Sequence, residues 1–507
     1  MKKTILTFTA ACLLTAVHAQ NPGDLDLTFG AAGYAMTDPF ALTGEIYWNL
    51  IALPDDKIIK VGNTDDGATK DVLVSKFLAN GTPDSSFAAN GFLRIDLSIG
   101  GDEEARGVYA LPNGQLLVTG YVQGIGTING FIMRLNADGT TDNTFGTNSG
   151  YSVFNAGDNF IAYGRDIAVI SNEIYVGASV LVGGQADIAV FNFSQDGILD
   201  ISFSSGGSGI MDIDGELDEL YSMAVTPGGA FILAGISNYQ GVQRGFVASL
   251  SQFGTPTTFA GTGSYTFDLG SGTNEVADVL VDANGKIVFT GSGGSYPNVD
   301  GFVMRLNSDG TIDNTFATAG TMQSDPGASV ALFLRGIIET PEGYVAVGNV
   351  AGASIGLYAL YLTPTGGLNS NYGGNGDVNI PFTISVNSLG AMGGVVQSNG
   401  AIVIGGYLTS QDFVGENMFM VRLLPDNASV AEITVDEVRV YPNPINDQFA
   451  LQMEDVKRVE MVSIHGKVVA SWDAQAAYSI PNGTPPGAYF IRVEGVNSTG
   501  TARVMVY

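Results

Sequence analysis

Little of the usual catalytic inventory is present in this chain. Its 507 residues contain one cysteine, Cys12, and two histidines, His18 and His465. Cys12 and His18 both precede Gln20 in a segment with the marks of a removable leader: Lys2 and Lys3, the apolar run TILTFTAACLLTAV, and a small-residue cleavage site expected after Ala19. With the leader gone, His465 is the one imidazole of the mature chain. Intrachain disulfides, a Cys/His zinc site and serine- or cysteine-histidine nucleophile pairs are therefore excluded. What remains open is carboxylate chemistry, because 50 Asp and Glu are present and glycoside cleavage needs only two.

The carboxylates that stand out belong to a recurring line. MRLNADGTTDNTFGTNSG, Met133 to Gly150, returns as MRLNSDGTIDNTFATAG, Met304 to Gly320. Asp138 and Asp142 invite a calcium reading, but Gly139 follows Asp138 directly and the acceptor spacing does not match an EF-type loop. The spacing predicts instead an Asp-Gly turn, a second Asp bonded to nearby amides, and a Phe that fills a core. No metal ligand, catalytic residue or cofactor is assigned.

The elements that hold this line follow from its periodicity. Anchored on the aromatic, copies fall at Phe29, Phe87, Phe145, Phe203, Phe259, Phe316 and Tyr372, at intervals of 58, 58, 58, 56, 57 and 56 residues. The fifth copy, GTPTTF, lacks the Asp, and the seventh has Asn369 and Tyr372, which argues against an obligatory chemical role for the Asp. Each unit also carries a β-branched run ending in Gly (KIIKVG, QLLVTG, KIVFTG) and an alternating run before the turn (GFIMRLNADG, GFVMRLNSDG). These predict four short antiparallel strands per unit and an all-β chain.

The two ends of the repeat region are complementary halves. The mature start matches a repeat only from Gly23 onward, and the last repeat stops at Asp426, so joining them completes one unit. An open solenoid gains little from that split, whereas a ring uses it to remove an exposed edge. The expectation is a seven-bladed β-propeller closed by N- and C-terminal strands, with YAMTD pairing into the blade of Ala401 to Leu424. The motif DG-x-x-D-x-x-F in this array resembles the delta-60 repeats of bacterial β-propeller proteins, over Asn21 to Ala428. That resemblance implies an architecture, and the activity of the family is generally unassigned.

Composition changes near residue 438. The tail from Val438 holds six basic and six acidic residues, whereas Gln20 to Glu437 holds 13 basic and 44 acidic ones. The tail strands EVRVYPNPIND, QFALQM, RVEMVSIHGKVVASW, GAYFIRVEG and TARVMVY resemble the C-terminal sorting domain of the type IX secretion system of the Bacteroidetes. By that resemblance the sorting motif residues are Tyr441, Pro442, Asn443, Pro444, Gly466, Gly487, Tyr489 and Arg503, and the tail is a small β-sandwich that brings the protein across the outer membrane. His465 is then a turn residue. The expected organisation is a signal peptide (1–19), propeller (20–428), linker (429–437) and sorting domain (438–507).

A formal net charge of -29 repels nucleic-acid phosphates, and no stretch is long enough for a membrane span. The chain reads as a secreted or cell-surface repeat protein, extracellular or on the outer membrane, whose partners are the type IX machinery and an extracellular glycan or protein ligand. A non-catalytic binding or adhesion module is the favoured function. The alternative is a carbohydrate-active enzyme using a carboxylate pair. Segments after the Gly-ended strand vary most between units, and if equivalent loops gather on one face, Tyr121, Tyr239, Tyr296 and Tyr407 surround a ligand there.

Overall fold

The computed structural model describes residues 21–506 apart from 38, 41–43, 98–100, 125, 157–160, 271, 353–354, 383–385, 411–415, 426–433, 436–438, 444, 453–455, 464–467 and 496–497. The leader, the linker's ends, Pro444, His465 and Gly466 thus lie outside the described residues. Among the described residues the chain is all-β, with one short 3-10 turn at Phe259–Gly261 in the shortened fifth copy of the line. No helix among them is long and apolar enough to cross a membrane. Contacts divide the chain into two compact units, one of Asn21–Asn427 and one containing Ala428–Tyr507.

Propeller-like four-stranded antiparallel sheets build the larger unit. One runs Glu103–Ala110, Leu116–Gly124, Thr127–Leu135, Tyr151–Phe154, each strand pairing with the next. Equivalent groups begin at Gly44–Ala52, Ala162–Ile170, Asp218–Val225, Thr273–Val281 and Val330–Thr340. The last two of these touch through a single parallel bridge, Val299 to Ala331. Strands Val386–Val396, Ile402–Ser410 and Glu416–Leu423 take their fourth partner from the other end of the chain. Tyr34–Thr37 runs antiparallel to Glu416–Leu423 with Tyr34 opposite Val421, and the Gly23 N–H donates to the Leu424 carbonyl at 2.9 Å.

The recurring line sews one repeat to the next. Phe145 is 0% exposed and lies against Gly197 of the following repeat, where φ is +77° and a Cβ would run into the ring. The same aromatic-on-glycine contact joins Phe29 to Gly81, Phe87 to Gly139, Phe316 to Gly366 and Tyr372 to Gly23. Beside it the Gly146 N–H donates to the Asp196 carbonyl at 2.8 Å. The Arg134 guanidinium lies over the Phe145 ring, 4.6 Å from its centroid, and its Nε donates to Asp142 Oδ2 at 2.8 Å. Asp142 Oδ1 accepts from the Thr144 hydroxyl at 2.6 Å and its N–H at 3.1 Å. The Thr144 hydroxyl, assisted by Arg134, holds the Asp142 carboxyl down at about 2. Asp138 is occupied likewise, accepting from the Thr140 N–H and hydroxyl.

The C-terminal unit has a sheet of Thr434–Val435, Ser498–Val506, Gly487–Gly495, Val456–Ser463 and Val468–Asp473, and a smaller one of Arg439–Tyr441, Gln448–Gln452 and Tyr478–Ser479. Its core gathers Ile445, Phe449, Val459, Met461, Tyr478, Ile491 and Val504.

Candidate functional site

The first strand of every group breaks register at the same place. Its pairing with the second strand skips Trp48, Arg106, Arg165, Tyr221, Ala277, Arg335 and Met392 in turn. A skipped residue of this kind is a β-bulge, which bends the strand and re-aims one side chain. In six of the seven groups the Gly that ends the β-branched run accommodates it. At Gly120 a Cβ would fall on the Glu104 carbonyl oxygen, so only hydrogen fits where the bulged strand swings in. Gly62, Gly235, Gly291, Gly348 and Gly406 meet the same obstruction, and the third group has Ala178 at that register.

The bulged residues share a destination. All seven line one cavity of about 450 Å³, together with Glu219, Glu275 and Tyr407. This follows from the packing of the first strands, each against that of the next group, with Val386–Val396 against Gly44–Ala52.

Guanidinium groups dominate the cavity chemistry. Arg106 lies over the Trp48 ring at 3.5 Å and is ion-paired with Glu104, which also takes Lys70 at 2.8 Å. Arg165 pairs with Glu219, and Arg335 with Glu275 at 2.7 Å. Burial pulls the Arg106 guanidinium down, an effect opposed by Glu104. Burial alone would raise the Glu104 carboxyl, but Arg106 and Lys70 prevail and hold it below its usual value. Burial also pushes the Tyr221 phenol well above its ordinary range. The Nε atoms of Arg106 and Arg165 are buried with no hydrogen-bond partner among the described residues. Three planar donors, two wall carboxylates and aromatic faces can hold a polar, hydroxyl-rich or anionic small ligand.

The four tyrosines singled out from the sequence are not all brought together. Tyr407 lines the cavity, and Tyr121 holds the equivalent place in its own group, one residue past the obstructed Gly. Tyr121 packs edge-on against Tyr163, centroids 5.2 Å apart, and hydrogen-bonds Glu104. Both sit inside strands, because the Gly before them answers a bulge and does not end the strand. Tyr239 and Tyr296 lie at hairpin ends, 36% and 68% exposed. Sequence reasoning missed Trp48, Arg106, Arg165, Tyr221 and Arg335.

In the C-terminal unit Tyr441 is exposed on Arg439–Tyr441, followed by exposed Pro442 and Asn443. Asn443 Oδ1 accepts from the Met505 N–H at 3.0 Å. Tyr489 is buried on Gly487–Gly495, its hydroxyl donating to the Pro485 carbonyl at 2.8 Å, and Arg503 lies on Ser498–Val506 opposite Phe490.

Comparison with known proteins agrees with both units. Residues 53–87, 111–145 and 283–316 match the family model described as a domain of unknown function (DUF5122) beta-propeller. Residues 439–507 match the secretion system C-terminal sorting domain. No curated protein matches the chain. Among solved structures, Drosophila Semaphorin 2a is 8% identical, covering 96% of this chain and 99% of its own, with a TM-score of 0.42. Sqt1 from Chaetomium thermophilum is 13% identical over 78% of this chain and 98% of its own, TM-score 0.41. The GH43 endo-arabinanase from Bacillus licheniformis is 12% identical over 51% and 94%, TM-score 0.28. These likenesses are too distant to transfer an activity. The sorting domain directs the chain through the type IX secretion system to the cell surface or the extracellular space.

Proposed function

With DUF5122 propeller repeats and a secretion system C-terminal sorting domain in one chain, we propose a secreted or cell-surface seven-bladed propeller that acts as a non-catalytic binding or adhesion module. In this reading residues 20–428 form the ring, Tyr34–Thr37 closes it, 429–437 is a linker and 438–507 carries the address through Tyr441, Pro442, Asn443, Pro444, Gly466, Gly487, Tyr489 and Arg503. The ligand enters the Arg-lined cavity and is an extracellular glycan. One observation carries this: the bulged side chains converge from successive first strands onto one cavity. Trp48, Tyr221 and Tyr407 supply faces for sugar rings, and the Arg-Glu pairs supply donors and acceptors for hydroxyls. Tyr121 supports the wall behind Glu104, and Tyr239 and Tyr296 offer outer contacts.

The second reading, a carbohydrate-active enzyme, is favoured by Glu219 and Glu275 on the cavity wall. Against it, each is committed to an arginine. A glycan array with the full chain tests both. Binding should be lost in Trp48→Ala and Arg106→Ala and reduced in Tyr407→Ala, with the Tyr239→Ala/Tyr296→Ala pair affected less. Reducing-sugar release abolished by Glu219→Gln or Glu275→Gln would establish the enzyme instead.

A further inference from the structure

Away from the cavity, three carboxylates converge without a counter-charge. Asp187 on Gln185–Phe193, Asp212 just past Ser208–Met211 and Asp218 at the start of Asp218–Val225 each place an oxygen within 4.8 Å of the other two. The register dictates this. Ile188 pairs with Met211, so Asp187 and Asp212 are neighbours across the strands, and the turn Asp-Ile-Asp-Gly-Glu-Leu returns the chain to Asp218. One oxygen of each turn carboxylate is used locally: the Gly215 N–H donates to Asp212 Oδ1 at 2.5 Å and the Ile213 N–H to Asp218 Oδ2 at 2.7 Å. The remaining oxygen of Asp218, a residue 0% exposed, is buried and left without a hydrogen bond, because the Ser237 hydroxyl beside this carboxyl donates to Asp214 Oδ2 at 3.2 Å. A buried carboxylate oxygen left in this state is costly unless something absent from the polypeptide satisfies it.

The chain contains its own controls for this register. In the first group the equivalent residues, Asp71, Asp96 and Glu103, also lie within 4.8 Å of one another, and there Arg94 donates to Asp71 Oδ2. The position of Arg94, one before the residue opposite Val72, is Ile210 in the third group, one before the residue opposite Ile188. In the second group the corresponding residues are Asn129 and Asn155, hydrogen-bonded at 2.8 Å, with Ala162. In the fourth they are Arg244, Asp268 and Asn274, and the Asn274 amide donates to Asp268 at 3.0 Å. The third group keeps all three acids, and no Lys or Arg forms an ion pair with them among the described residues.

We propose that Asp187, Asp212 and Asp218 bind a calcium ion. Oxygens at 2.3–2.6 Å from one Ca²⁺ lie at most about 5 Å apart, which matches the cluster, and an all-carboxylate set open to solvent at Asp212 leaves room for the water and carbonyl ligands that complete six to eight positions. Bound there, the ion replaces the charge that Arg94 supplies in the first group, and ties the third group's outer edge to the first strand of the fourth.

The test is calorimetric titration of EGTA-treated full-length protein with CaCl2, repeated with MgCl2, alongside thermal melting. The expected result is one calcium site with Kd of roughly 10⁻⁴–10⁻³ M, the range of extracellular modules, and a Tm raised by several degrees at about 5 mM CaCl2. Asp212→Asn, exposed and so compatible with folding, should weaken binding at least about tenfold, and Asp96→Asn in the Arg94-neutralised cluster should leave it unchanged. No calcium heat and no Tm shift in the wild type, an unaltered titration in Asp212→Asn, or magnesium binding equal to calcium would each overturn the proposal.

Discussion

Replacing Phe145 by Ala is the sharpest test of how the repeats are joined. The ring is fully buried, seated on the Gly197 backbone of the next repeat and covered by the Arg134 guanidinium at 4.6 Å. Truncating a buried Phe costs about 3–5 kcal/mol, transfer and cavity terms together. Collapse is restricted here because the facing surface is glycine backbone held by the Gly146–Asp196 hydrogen bond, which places the cost in the upper half of that range. Arg134 also loses its aromatic face, a further ~0.5–1 kcal/mol at a partly exposed site. The chain's two tryptophans, Trp48 and Trp472, divide between the units, so urea unfolding of a Trp472→Phe background followed by fluorescence reports on Trp48 and the larger unit alone. Ile201 is the internal control: it lies in an equivalent copy of the line but is 75% exposed, and Ile201→Ala should change stability by less than about 0.5 kcal/mol. If Phe145→Ala costs no more than Ile201→Ala, the aromatics are not wedges and the account of the repeated line fails.

Three further outcomes follow from the same geometry. Burial raises the carboxyls of Asp166 and Asp278 to about 7 and about 6 from 3.8, so their contribution to stability is complete below about 3.8 and is lost as pH rises through 6 to 7. Stability measured from pH 5 to 8 should therefore fall by up to about 1.4 kcal/mol per pH unit per group, and Asp278→Asn should flatten the curve; an unchanged slope refutes the assignment. Deleting residues 21–39 removes the strand paired to Glu416–Leu423, and the Tm of the remainder should drop sharply; equal melting would mean that Tyr34–Thr37 closes nothing. Removing Val438 to Tyr507 should leave folded protein in the periplasm of the native host, and its appearance on the surface would show that the address lies elsewhere.

Much of the scaffold was legible because its signals are local and repeated. The spacing of Phe29 to Tyr372 marks the groups, the Asp-Gly turns mark their hairpins, and the burial of Phe145 and Phe316 follows from an apolar ring inside a polar turn. The cavity was less legible, since its residues look unremarkable one at a time. Arg106 in EEARGVY and Arg165 in AYGRDIAV stand in mixed strand sequence, and nothing in composition separates them from surface arginines. The available signal was indirect: a Gly recurring late in a β-branched run implies a close approach, and the residue displaced by that approach lies on the neighbouring strand, next to the residue paired with that Gly. Reading that Gly as a strand end moved Tyr121 and Tyr407 into loops. The tail was readable for a different reason, because its resemblance rests on residues such as Tyr489 whose burial and carbonyl contact are set within a few positions.

The bulge also explains how a monotonous scaffold carries a site that is not monotonous. Opposite the bulge, the requirement is steric and six groups meet it with glycine. At the bulge, the side chain leaves the inter-sheet core and faces the cavity, so packing no longer dictates its type. Within this one chain the bulged positions hold an indole, three guanidiniums, a phenol, a methyl group and a thioether. Residues under a common structural constraint would resemble one another, as the wedge aromatics do, and these do not. Their asymmetry places Arg106 on Trp48 along one part of the wall and apolar Ala277 and Met392 elsewhere along it, so the wall offers different chemistry from one side to another. Ala277→Arg is the corresponding trial: it leaves the Gly291 contact intact, so the fold should tolerate it, while a fourth guanidinium should alter ligand preference if the cavity is the binding site.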